Sequence, residues 1–375
     1  MMTSLINNEY LTIDAAEYFR RLQEDIQQAK SSIECESYIL ENDSVGNDIV
    51  DALCVASERG VTVRLMVDGF GSSPWIQAVI SKLKQHGGQV RVYHPMPWHF
   101  WQWGLAINQQ SFLKKFIFLF NVINRRNHRK ICIVDERIHW LGSFNLSSVH
   151  LSKDLGGEGW RDTAIRIETR QPEARTAFNR IWKRKRFNPH RLALDFPGFF
   201  RINDSRKKRR LLYRDLLSRM TIASNCIRLT TPYFIPEPRL LKRLRNAAKR
   251  GVNVEILLPG VSDVFFIPWA SSLLYRELIE AGVHIYEYQA GILHAKTLLI
   301  DDWATVGSSN MNSRSIFHDL EIDYVLQNHD SVQALENHFI NDLKQSKVVC
   351  LADIQKRNPI IKLLGRIALY LRYWL

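Results

Sequence analysis

"ERGVTVRLMVDGFGS", residues 58 to 72, and "KRGVNVEILLPGVSD", residues 249 to 263, are two copies of one unit. Each reads as the end of a helix closed by a basic residue and Gly, then an apolar β-branched strand, then a glycine turn. Upstream of each copy lie another strand and helix: "SSIECESYIL" with "VGNDIVDALCVASE", and "NCIRLTTPYF" with "RLLKRLRNAAK". Downstream of each lies a short strand, "QVRVYH" (89–94) or "VHIYEY" (283–288). Strands alternating with helices of this length predict βαβ units and a partly parallel sheet. A fixed order of elements occurring twice predicts an α/β chain of two similar halves, each a mixed sheet flanked by helices.

Both halves then arrive at the same pattern, "HRKICIVDERIHWLGSFN" (128–145) and "HAKTLLIDDWATVGSSN" (294–310). Side chains on a strand alternate with period two, so His128 shares a face with Lys130, and His294 with Lys296. Asp135 and Asp301 stand seven residues beyond each His, an odd offset, where the strand turns; they are expected to hold the turn or neighbouring backbone. The returning strand ends in Gly-Ser-x-Asn, which puts Ser143 and Asn145, or Ser308 and Asn310, beside the His and Lys. Each half is expected to supply half of one site at a pseudo-twofold interface.

These residue types suit a phosphodiester. A neutral imidazole can attack phosphorus while a second, protonated imidazole gives its proton to the leaving alkoxide. Lysine ammoniums and asparagine amides suit the non-bridging oxygens. The motifs hold no carboxylate cluster of metal-ligand spacing, so neither metal nor cofactor is expected. Asp162 in "GWRDTAIRIE" and Glu321 in "NSRSIFHDLEIDYVL" open two alternating strands. Each is read either as an acid orienting an imidazole or as an ordinary strand-start residue.

The duplicated HxK(x)4D with trailing GSxN resembles the phospholipase D superfamily. "GWRD", "NMNSRS" and "TTPYFIPE" are similar to bacterial cardiolipin synthases. The resemblance covers roughly residues 10 to 345. It implies two phospholipase D-like halves with the active site between them. It also implies transfer of a phosphatidyl group between two phosphatidylglycerol molecules through a phosphohistidine. His128, Lys130 and Asp135, with His294, Lys296 and Asp301, would be the catalytic set, and Ser143, Asn145, Ser308 and Asn310 would hold phosphate. A phospholipase D-type hydrolase or a nuclease is the alternative. The expected setting is the periphery of a bacterial inner membrane, with anionic phospholipid as partner and no nucleic acid.

Composition bears on that setting. In 375 residues, Lys plus Arg number 51 against 38 Asp plus Glu, a net charge of +13, which favours phosphate-bearing partners. The N-terminus lacks a basic region followed by an apolar stretch, and no apolar run approaches the ~20 residues of a spanning helix. Many members of the resembled family begin with such helices, so this sequence is expected to follow its shorter members and attach peripherally. Five scattered cysteines without a CxxC pair are expected to be reduced and mostly buried.

From Gly60 to His128 there are 68 residues, but from Gly251 to His294 only 43, so the first half carries about 25 more. The surplus is "PWHFWQWGLAINQQSFLKKFIFLF" (97–120). Its Trp98, Trp101 and Trp103 suit the headgroup depth of a bilayer, as does Trp374 in the basic amphipathic tail "NPIIKLLGRIALYLRYWL" (358–375). The alternative for both segments is a helix packed on a core. The expected division is 1–181 for the first half, with the aromatic insertion at about 95–127. A basic linker at 182–210, a second half at 211–345 and a tail at 346–375 complete it.

Overall fold

The computed structural model describes residues 8–72, 75–95, 125–183 and 198–355, together with 365, 366 and 369. The first half contains β1 (Asn8–Thr12), α1 (Ala15–Gln28), β2 (Ser32–Ser37), α2 (Ser44–Glu58), β3 (Thr62–Asp68), α3 (Ile76–Gln85) and β4 (Gln89–Tyr93). It continues with β5 (Ile131–Val134), β6 (Ile138–Gly142), β7 (Ala164–Glu168) and α4 (Glu173–Trp182). Its sheet has the order β1-β7-β6-β5-β2-β3-β4, with β2, β3 and β4 parallel and the rest antiparallel. The parallel core is the expected product of two successive βαβ crossovers.

The second half repeats this plan: β8 (Phe200–Ile202), α5 (Arg206–Ile222), β9 (Cys226–Thr230), α6 (Pro238–Lys249), β10 (Asn253–Pro259), α7 (Ile267–Ile279) and β11 (His284–Tyr288). Then come β12 (Thr297–Ile300), β13 (Trp303–Gly307), α8 (Ser313–Phe317), β14 (Ile322–Val325), α9 (His329–Lys344), β15 (Ser346–Val348) and α10 (Leu351–Gln355). Its sheet runs β15-β11-β10-β9-β12-β13-β14-β8, the same order with β15 added at one edge. The Arg-Gly pairs that revealed the repeat end α2 and α6. Gly60 and Gly251 sit there at φ +88° and +93°, a conformation that glycine adopts without steric cost.

Apolar side chains fall into three layers. Leu22, Ile33, Leu53, Leu65 and Ile80 join α1, α2 and α3 to the first sheet, and Met220, Leu229, Leu244, Ile256 and Tyr275 join α5, α6 and α7 to the second. Between the sheets, Ile133, Leu141 and Ile165 pack with Leu299, Val306 and Tyr324. The halves therefore share a core, which holds the two motifs in fixed register. Four of the five cysteines are buried, and Cys350 is exposed.

Two boundaries differ from the sequence reading. Residues 200–210, assigned to the linker for their charge, form β8 and the first turn of α5. Ser205 caps that helix through Lys208 N, and Tyr213, Leu216 and Met220 are buried along it at helical spacing. β15 pairs with β11, so the second sheet extends to Val348. Trp98, Trp101, Trp103 and Trp374 lie outside the described residues. In the tail, Arg366 is exposed and Leu369 packs on the cluster of Ile235, Ile267 and Ala270.

Candidate active site

Two parallel bridges, related by the repeat, stitch the halves together where the motifs meet. Asn127 pairs with Leu320, and Arg161 with Leu293. The amide of His128 donates to the carbonyl of Leu320, and that of His294 to Arg161 O, at 3.0 and 2.8 Å. Each bridge thus sets one half's histidine beside the other half's acid. Nδ1 of His128 stands 3.1 Å from both carboxylate oxygens of Glu321, and Nδ1 of His294 stands 2.8 Å from Oδ1 of Asp162. Of the two sequence readings of these acids, orientation of an imidazole is what the geometry supports, and it runs crosswise between the halves.

The tautomers follow. His128 Nδ1 also faces the Ser308 carbonyl at 3.1 Å, an oxygen that only accepts, so Nδ1 carries the proton and Nε2 the lone pair. The ionised Asp162 places the proton of His294 on Nδ1 in the same way. Burial, and then the Lys130 and Lys296 ammoniums, hold His128 well below the usual imidazole range. Burial followed by Lys296 lowers His294, against the pull of Asp162. Both rings are therefore neutral at rest, as attack on phosphorus requires of one of them.

Lys130 and Lys296 are buried on the same face as their histidines, and each donates one hydrogen bond to that histidine's own carbonyl. Burial pulls Lys130 down to about 7 and Lys296 to about 8. Burial raises Glu321 to about 7, although Lys130 and the hydroxyls of Ser308 and Ser315 oppose it. Burial also pulls on Asp162, but His294 and His150 overcome it and hold the carboxyl well below its ordinary value. Two buried ammoniums, with the ionised Asp162 beside them and Glu321 pushed toward its neutral form, suit the pocket to an anion.

The two motif serines hold equivalent places: Ser143 Oγ faces O and N of Thr163, and Ser308 Oγ faces O and N of Ile322, with Ser308 alone also donating to Glu321 at 2.6 Å. The Oδ1 atoms of Asn145 and Asn310 are buried without a hydrogen-bond partner, as expected of groups that await a ligand. Gly142 and Gly307 let these turns approach β7 and β14. A Cβ there would strike Thr163 O and Asp323 Oδ1.

Asp135 and Asp301 lie outside this cluster. They sit at φ +51° and +53° in the turns after β5 and β12, as their odd offset implied. Asp135 accepts from the amides of Lys30, Ser31 and Ser32, and Asp301 from those of Ser224, Asn225 and Cys226. Against the upward pull of burial, those amides hold both carboxyls below the ordinary value. Asp135→Asn or Asp301→Asn is expected to destabilise the fold by ~1–2 kcal/mol near neutral pH. Because the folded pKa is depressed, that penalty should shrink as pH falls through it. Thermal melts across pH check this, and lost turnover at an unchanged melting temperature would return the two aspartates to the site.

Four aromatic or imidazole groups at the site were not singled out from sequence for a role there. The Tyr38 ring is 4.9 Å from His128, while Trp160, Tyr233 and His150 lie 5.6, 6.4 and 6.3 Å from His294. The signal for His150 was present, since it falls five residues after Asn145, as Ser315 falls five after Asn310.

Residues 22–182 and 216–343 match the family model described as cardiolipin synthase, PLD-like domain. The chain belongs to this family. A cardiolipin synthase of Clostridium perfringens (strain SM101 / Type A) is 32% identical, over 95% of this chain and 75% of that one. Cardiolipin synthase B of Salmonella typhimurium is also 32% identical, over 90% of this chain and 82% of that one. Phosphatidylserine synthase of Haemophilus influenzae Rd KW20 superposes with a TM-score of 0.69 at 14% identity, covering 98% of this chain and 95% of that one. That likeness concerns the fold of two phospholipase D-like halves. The chain is accordingly an enzyme of the cardiolipin synthase type.

Proposed function

We propose that this enzyme joins two phosphatidylglycerol molecules into cardiolipin and glycerol, through a phosphohistidine, at the surface of a membrane. The observation that carries this reading is the crossed pair His128–Glu321 and His294–Asp162, flanked by two buried lysines. Nε2 of one imidazole attacks phosphorus and the bond to the glycerol headgroup breaks, while the other imidazole, which takes a proton from solvent as the anionic substrate binds, gives that proton to the departing alkoxide. A hydroxyl of the second phosphatidylglycerol then returns a proton to that imidazole and attacks phosphorus, and the P–N bond breaks. Lys130 and Lys296 would hold the non-bridging oxygens. The amides of Asn145 and Asn310 would join them by turning their NH2 groups inward. The ~30% identity to curated cardiolipin synthases supports transfer over hydrolysis.

A membrane setting is supported at the rim. Phe70 and Val261 occupy the same position of the repeat, after Gly69 and Gly260, and are 57% and 68% exposed. The Arg126 guanidinium lies 5.7 Å from the Phe70 ring, two residues ahead of His128. Tyr233, beside His294, donates to Asp263, two residues from Phe265, which is 69% exposed. Exposed apolar groups flanking a cationic cleft suit an anionic lipid surface. His94 Nδ1 and Arg125 O lie 3.0 Å apart beside the same rim.

The test is product analysis with phosphatidylglycerol in mixed micelles and in vesicles. Cardiolipin and glycerol are expected, and phosphatidic acid as the main product would overturn the reading. Phe70→Ser combined with Phe265→Ser should slow turnover of vesicles while sparing monomeric short-chain phosphatidylglycerol. Equal rates on vesicles would remove the rim from the docking surface.

A further inference from the structure

The repeat places His150 and Ser315 at one position, and both reach the acid that serves a motif histidine. In the second half, the amide of Asn310 donates to Ser315 Oγ, which donates to Glu321 Oε1 at 2.7 Å. In the first, the amide of Asn145 donates to His150 Nε2 at 3.1 Å. An N–H pointing at Nε2 leaves the proton of the neutral ring on Nδ1. That atom makes a close polar contact with Oδ2 of Asp162 at 2.8 Å, off the line of a hydrogen bond, while Oδ1 of Asp162 accepts from His294. His150 and Asp162 are fully buried, and the rings of Phe144 and Trp160 lie edge-on to the imidazole at 5.2 and 5.8 Å. One half thus supports its acid with hydroxyls, the other with a second imidazole.

We propose that His150 is a positioning residue for phosphoryl transfer: it fixes the Asp162 carboxylate against rotation, so that Oδ1 stays on His294 and keeps Nε2 of that ring aimed at phosphorus. The Asn145 backbone, anchored to the same imidazole, ties the phosphate-facing turn to the orientation of His294. The proposal rests on the phosphodiester reading of the site, not on the lipid being phosphatidylglycerol. An acid that holds a reacting histidine in one tautomer and orientation contributes strongly to catalysis, and a loosely held acid forfeits part of that.

Two substitutions separate the contacts of His150. His150→Asn keeps a nitrogen donor near the place of Nδ1, facing Asp162, and gives up the Asn145 contact. His150→Gln keeps a polar group near the place of Nε2 and gives up Asp162. Initial rates on phosphatidylglycerol micelles and on bis(4-nitrophenyl) phosphate, with melting temperatures, form the experiment. His150→Gln and His150→Ala are expected to lower kcat by about 10- to 100-fold with little change in KM, by analogy with the loss of other groups that orient a reacting side chain. His150→Asn should recover most of that rate although its melting temperature matches that of His150→Gln. Equal rates for the Asn and Gln variants, or rates that follow melting temperature, would overturn the proposal. If the wild type turns over bis(4-nitrophenyl) phosphate but not phosphatidylglycerol, the lipid assignment fails while the variants still decide the role of His150. If the wild type turns over neither, the phosphodiester reading and the role of His150 fall together.

Discussion

His128→Ala or His294→Ala is expected to lower cardiolipin formation by at least about 10³-fold, because each removes either the group that attacks phosphorus or the one that moves the proton. The fold should survive both changes. Each ring lies at the end of a bridge made by backbone atoms, His128 N to Leu320 O and His294 N to Arg161 O, so truncation leaves the seam between the halves in place. Each variant does leave a buried carboxylate without its imidazole. Burial already raises Glu321 to about 7, so in His128→Ala that acid can take up a proton. Asp162 keeps His150 in His294→Ala. The double variant should be little worse than either single one, since residues that act as a unit lose function together. Initial rates with circular dichroism melts check this. Either variant retaining more than about a tenth of wild-type turnover would remove that histidine from the reaction.

Lys130→Met and Lys296→Met are expected to lower kcat by about 10²- to 10³-fold each, the loss typical of one preorganised charge stabiliser. Both changes should leave the melting temperature unchanged or raise it. Burial is the largest influence on each ammonium and outweighs the attraction of the carboxylates around it, Asp162 first for Lys296 and Glu321 first for Lys130, so an apolar chain of similar length removes more cost than it forfeits. Opposite signs of effect on stability and on turnover distinguish a charge held for substrate from one held for the fold. A parallel fall in both would show that the lysines serve the fold.

The sequence and the structure agree where the information is local or repeated. The odd offset of Asp135 and Asp301 put them in turns, and their carboxylates cap the amides that precede β2 and β9. Period-two alternation put each His and Lys on one face. What alternation does not report is which strand lies opposite, since that depends on the seam between halves. Which imidazole Asp162 would orient was therefore open in the sequence, and the bridge from Arg161 to Leu293 delivers it to His294 of the other half. His150 was hidden for a related reason. Within one copy it is a lone histidine in the serine-rich stretch "LSSVHLSK", and it gains meaning only when its counterpart Ser315 is seen on Glu321. The charge run at 206–210 reads as linker on charge alone, but the helical spacing of Tyr213, Leu216 and Met220, whose burial fixes α5, carries it into a helix.

The central claim is that one imidazole from each half serves a single phosphoryl-transfer site. The most direct measurement is rapid quenching of wild-type enzyme during turnover of phosphatidylglycerol, followed by peptide mass spectrometry under alkaline conditions that preserve phosphohistidine. A phosphatidyl adduct on the peptide bearing His128 or on that bearing His294 is expected, and it should vanish when that histidine is replaced. Cardiolipin formed at the wild-type rate with neither peptide modified would contradict the account.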